Sequence, residues 1–162
     1  MITDALLRLS NAQAVTASAY STDKIRIGQE DTIRGPGASS TTLVRTRDVG
    51  EGREVYVVFT VNTTFLTLTN LTFEIVTSAN ADLSSHTSIA TTGAITLASG
   101  GLAAGKQYAL RIPPEIAGTG KQYLGARYTV GGSSATAGAV TADLVLDIQD
   151  GMKFYDSGFT VA

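Results

Sequence analysis

The 162-residue chain contains no cysteine and no tryptophan, a single histidine and only three prolines. Without cysteine neither a disulfide framework nor a thiolate metal site can form, so stability must come from packing, strand pairing or assembly. The absence fits folding in a reducing cytoplasm. With His86 the sole imidazole, there can be no histidine cluster for a metal and no Ser-His-Asp arrangement with a second histidine to spare. His86 sits in a Ser/Thr turn, where ordinary hydrogen bonds account for it. Charge is sparse too, at 16% of residues with a net value of -2. A nucleic-acid binder usually carries a basic stripe or a basic and aromatic platform, so no direct contact with DNA or RNA is expected. No apolar run approaches the 18 or so residues that a membrane span needs, and a soluble protein without a membrane partner is expected. The start, "MITDALLRLSNAQAVTASAY", has a short apolar run broken by Arg8 and no basic leader. Although Ala17-Ser18-Ala19 imitates a cleavage site, it reads as mature protein.

What is present is a β pattern. Val55, Val57, Phe59 and Val61 alternate with Tyr56, Val58 and Thr60, and Leu71, Phe73 and Ile75 repeat the pattern. Period 2 marks a half-buried strand. Further strands are expected around Ile89, Ile95 and Leu97, around Tyr108, Leu110 and Ile112, and along Leu124, Ala126, Tyr128 and Val130. Turn chemistry separates them: "TSANADLSSHTS", "ASGGLAAGK", "PPEIAGTGK" and "GGSSATAG". Helical signal is weak, with Thr3 to Leu9 and "NADLSSHT" the best candidates and each too short to stand alone. The fold class expected is all-β, an antiparallel β-sandwich of jelly-roll type. A single domain over 1–162 is expected, with an N-terminal arm and first strand (1–22), an extended loop region (23–54), a strand-rich core (55–150) and a C-terminal arm (151–162).

"VTADLVLDIQD", residues 140–150, places three carboxylates in an apolar stretch. Val140, Ala142, Leu144, Leu146 and Ile148 share one side of a strand, leaving Asp143 and Asp147 on the other with Val145 between them. At about 3.3 Å per residue those two lie roughly 13 Å apart, beyond the ~5 to 9.5 Å of paired-carboxylate hydrolysis. A solvated face is expected, with Val145 favouring partial burial at a contact.

Other chemistry is incomplete. "GTGK", Gly118 to Lys121, lacks the leading glycine and the following Ser or Thr of a phosphate loop. "GQEDTIRG" lacks the alternating acidic ligands and closing glutamate of a calcium loop. No catalytic residue, cofactor or metal site is expected, and the chain does not read as an enzyme. The unusual stretch is Asp23 to Glu54, which mixes both charges around "RGPGASST" and reads as an extended loop whose Arg34, Arg45, Arg47 and Arg53 could meet a partner's carboxylates.

The ordered series "LSNAQAVTASAYST", "VYVVFTVNTTF", "LTFEIVTSANADLSS", "LRIPPEIAGTGKQYLGARYTVGG" and "ATAGAVTADLVLDIQD" resembles the capsid cement, or decoration, proteins of short-tailed bacteriophages over almost the whole chain. Gln29 to Thr46 looks like an insertion between an "I-x-I-G" segment, Ile25 to Gly28, and a "D-V-G-E-G" segment, Asp48 to Gly52. The resemblance implies a jelly-roll virion protein that oligomerises on the outer capsid surface and ties neighbouring major capsid subunits together. A homodimer is expected, with a trimer as the alternative. Candidate contacts with capsid or sister subunit are Leu6 and Leu7 at the front, Arg34, Arg45 and Arg47 in the insertion region, Val145, and Phe154, Tyr155 and Phe159 behind. The rival reading is a carbohydrate- or receptor-binding jelly roll. Such modules usually offer aromatic platforms, and here aromatics are 7% of the chain.

Overall fold

The computed structural model describes residues 5–33, 41–46, 54–113 and 122–146. A 3-10 turn at Ala5–Leu7 leads into β1 (Arg8–Ala14), followed by the two-residue strands β2 (Ala19–Tyr20) and β3 (Ile25–Arg26). Next come β4 (Gly28–Ile33), β5 (Thr41–Thr46), β6 (Tyr56–Leu66), β7 (Asn70–Ser78) and β8 (Thr87–Thr96). After a second 3-10 turn the described strands end with β9 (Gln107–Arg111), β10 (Tyr123–Gly131) and β11 (Ala137–Val145). All but β4 and β5, which pair with each other, form two antiparallel sheets packed as a sandwich, one ordered β1-β11-β6-β9 and the other β2-β10-β7-β8 with β3 also on β10. The chain shuttles between the sheets, an order compatible with a jelly roll.

Alternation decides which side chains meet in the middle. From the first sheet Val57, Phe59, Val61, Val140 and Ala142 point inward; from the second Leu71, Phe73, Ile75, Leu124 and Tyr128 do so. Phe59 and Phe73 stack across the gap with centroids 5.0 Å apart, and Tyr128 stands edge-on to both. Each such pair is worth about 0.5–1.5 kcal/mol beyond area burial. Close approach fixes one glycine: Gly138 has φ +144, and a Cβ there would collide with the buried Phe65 ring. No other residue satisfies that backbone and that neighbour together.

Tyr128 buries its whole ring yet keeps its hydroxyl satisfied, donating to Ser10 Oγ at 2.7 Å, and the Ser10 hydroxyl in turn donates to Gln13 Oε1 at 2.7 Å. Burial pushes the phenol well above the usual tyrosine range. Because the folded value lies above the unfolded one of about 10, stability is complete below pH ~10 and is lost as pH rises, by about 1.4 kcal/mol per unit from this residue. Alkaline denaturation midpoints should therefore fall steeply above pH 10 in the parent and less steeply in Tyr128→Phe. Parallel curves would refute the assignment.

The sandwich blunts each of its edges. β2 and β3 are two residues long, β9 is five and ends on Arg111, and β1 and β8 are interrupted by register shifts, with Ala12 (φ 45) and Gly93 (φ +69) in the left-handed region. Bulges, brevity and charge are the usual means of stopping edge-to-edge pairing. The front segment carries a first strand from Arg8 onward, preceded by only a three-residue 3-10 turn. One expectation needs correcting here. Asp23 to Glu54, read as an extended loop, carries β3 and a ribbon formed by β4 and β5, six residues each in unbroken antiparallel register. Its Thr, Val and Ile content supports strands although no apolar period announces them.

Candidate functional site

β11 lies between β1 and β6, so its outer face is not the solvated face that alternation alone suggests. Arg8 stands opposite Asp143 in the β1–β11 register and its Nε donates to Asp143 Oδ1 at 2.8 Å. Asp143 is only 6% exposed. Two residues back, Thr141 Oγ1 accepts from the Ala12 amide at 3.0 Å and donates to Asn62 Oδ1 at 2.7 Å. Asp143 is thus a cross-strand fastener. Asp147 and Asp150 lie outside the described residues.

The predicted contact residues separate into groups. Leu6 and Leu7 occupy the first 3-10 turn, which packs beside the end of β11 that carries Val145. Leu7 rests on the core, whereas Leu6 is 86% exposed and Leu146, just past β11, is 61% exposed. Val145 is buried within its own chain, at 4% exposure, so its burial requires no partner. Its cross-strand neighbour on β6 is Tyr56, with Val58 opposite Asp143. Arg45 lies on β5 with Gln29 opposite it in register. Arg34, Arg47, Phe154, Tyr155 and Phe159 lie outside the described residues, as does the "GTGK" turn.

A second polar group, missed from the sequence, covers the outer face of the other sheet. Arg127 on β10 donates to Glu74 on β7 at 3.3 Å and to His86 Nε2 at 3.2 Å. Since a guanidinium can only donate, Nε2 is the accepting nitrogen, and His86 Nδ1–H donates to Tyr20 Oη at 2.9 Å. Thr129 and Ser88 hydroxyls complete the set on Glu74. Beside it the loop after β7 folds back on the sheet: Leu83 is buried over Gly125, where a Cβ would collide with it. Leu83 (φ 61) and Ser85 (φ 52) both take left-handed backbone. Asp82 Oδ1 accepts the Ser84 hydroxyl and amide, and these bonds hold its carboxyl below the usual range. Every polar group in this arrangement is directed at another part of the chain. Its chemistry is that of a clasp holding the loop to the sheet. The sequence signal was faint: Glu74 and Arg127 fall on outward positions of their strands, but pairing of β7 with β10 is what joins them.

The geometry defines an all-β sandwich with a separate two-stranded ribbon and an exposed leucine pair near the first turn. The family model Bbp16 matches residues 9–144, most of the chain, and the protein belongs to the Bbp16 family. No curated protein matches the sequence.

Proposed function

We propose that this protein is a structural virion component that binds the outer surface of a phage head and cements neighbouring major capsid subunits. Membership of the Bbp16 family over β1 to β11 is compatible with the resemblance of the strand and turn segments to phage cement proteins. The observation that carries the reading is the ribbon: beside a sandwich with blunted edges, one pair of strands pairs, among the described residues, with neither sheet. A two-stranded hairpin is marginal in water without a further strand or a surface to pack on. A partner at the ribbon would supply that surface.

A protein that binds only the assembled lattice stabilises it by its own binding free energy, repeated over many equivalent sites. No bond making or breaking is required. The weakly acidic chain suits an outer position, since a surface facing packaged DNA would be expected to be basic. Self-association as a homodimer belongs to the same proposal.

The test is co-sedimentation with DNA-filled heads that lack the protein, reading occupancy per capsid subunit. Saturation at a fixed stoichiometry, with heads made more heat-resistant, supports the reading; no binding by folded protein overturns it in favour of a glycan or receptor ligand. Gly28 and Thr46 face each other at the base of the ribbon, where paired Cα atoms are about 4.5–5.5 Å apart. Replacing Gln29 to Thr46 by a short Gly-Ser link should therefore leave the sandwich and the buried Ile27 in place. Thermal unfolding should be nearly unchanged while occupancy at limiting protein falls at least tenfold. Undiminished occupancy would remove the ribbon from the interface.

A further inference from the structure

We infer that the edge of β5 turned away from β4, which pairs with no other described strand, is a docking edge that takes up an extended segment of the partner protein as a third strand of the ribbon. The inference rests on the proposed attachment to heads and specifies how the ribbon would engage. β4 and β5 pair only with each other among the described residues, and the six-residue register between them is unbroken. By contrast, the sandwich's own edges are short, bulged or charged. Strand addition needs a straight run of alternating outward N–H and C=O groups, which a bulge destroys and a regular ladder preserves.

The two edges of the ribbon are not equivalent. β4, "GQEDTI", begins with glycine and places Glu30 and Asp31 side by side, the composition that natural edges use to repel added strands. β5, "TTLVRT", is rich in β-branched residues, has neither glycine nor proline, and carries one charge. Its fitting occupant is an extended, proline-free segment of a capsid subunit, about five residues long, with small or β-branched side chains and a carboxylate to meet Arg45. Main-chain hydrogen bonds would supply the affinity, so the contact should tolerate side-chain change better than loss of an N–H.

That last property gives the test. Along an antiparallel strand the N–H groups turn alternately toward the paired strand and away from it. Of Leu43→Pro and Val44→Pro, one therefore removes an N–H that serves the ribbon and the other an N–H on the edge turned away from β4. The same holds for Glu30→Pro and Asp31→Pro in β4. All four variants are made in the full chain, amide hydrogen exchange identifies which member of each pair keeps the ribbon, and co-sedimentation with DNA-filled heads measures occupancy. The β5 variant that keeps its ribbon should lose occupancy at least tenfold, and the matching β4 variant should bind within twofold of the parent. Parent-like binding by that β5 variant, or equal losses from both strands, would overturn the docking edge while leaving the attachment itself standing. A ribbon-dependent dimer in analytical ultracentrifugation, with head binding unaffected by the β5 proline, would make a second copy the occupant and also overturn it. Failure of the parent protein to bind heads would overturn both.

Discussion

Phe73→Ala is expected to destabilise the protein by about 3–5 kcal/mol, the range seen when a large aromatic is removed from a packed core. Phe73 is fully buried and touches three rings: Phe59 at 5.0 Å, Tyr108 at 5.6 Å and Tyr128 at 6.0 Å between centroids. Truncation removes its transfer free energy, leaves a cavity between the sheets and deprives three aromatic neighbours of a partner at once. For a chain of this size the melting temperature should drop on the order of 10 °C. Phe73→Leu keeps most of the volume and should cost less than half as much. Denaturant titration decides the matter, and an alanine loss below about 1 kcal/mol would mean that the two sheets are not joined through this ring.

The second large effect concerns the Arg8–Asp143 pair and should be asymmetric. Arg8→Ala leaves the Asp143 carboxylate buried beside Val58 without its counter-charge, which should cost about 2–3 kcal/mol, somewhat under the range for a fully enclosed pair because Arg8 is part-exposed. Asp143→Ala strands only a flexible guanidinium that can turn to water, and about 1 kcal/mol is expected. A double-mutant cycle should return a coupling of 1 kcal/mol or more. Equal, small losses from both single variants would mark the pair as an ordinary surface contact.

The strands of the sandwich were legible because each long one is half-buried: the alternations around Phe59, Phe73, Tyr128 and Ala142 are those of β6, β7, β10 and β11. The outward positions were less legible. Asp143 carries the pattern of a solvated residue, and only the placement of β1 beside β11 turns it into a buried ion-pair partner. The His86 clasp was hidden for the same reason, since its members come from β2, β7, β8, β10 and a turn, and strand order is a non-local property. The ribbon escaped notice because its two strands, "GQEDTI" and "TTLVRT", have no apolar period to display. Cross-strand register is what reveals it.

The placement of β11 also bears on how the molecule is made. It is the last described strand, yet it occupies the middle of its sheet, flanked by the first strand on one side and β6 on the other. As the chain leaves the ribosome, β1 and β6 have nothing between them until residues near 145 emerge. Phe59 and Leu9 stay uncovered during that interval. Such long-range closure is slow compared with local hairpins, because the entropy of a very large loop is spent before the contacts that reward it. A nascent chain cut short before β11 would expose an open sheet with two unpaired flanks. The sheet thus closes only once β11 has been made, and copies cut short before it are the ones open to proteolysis.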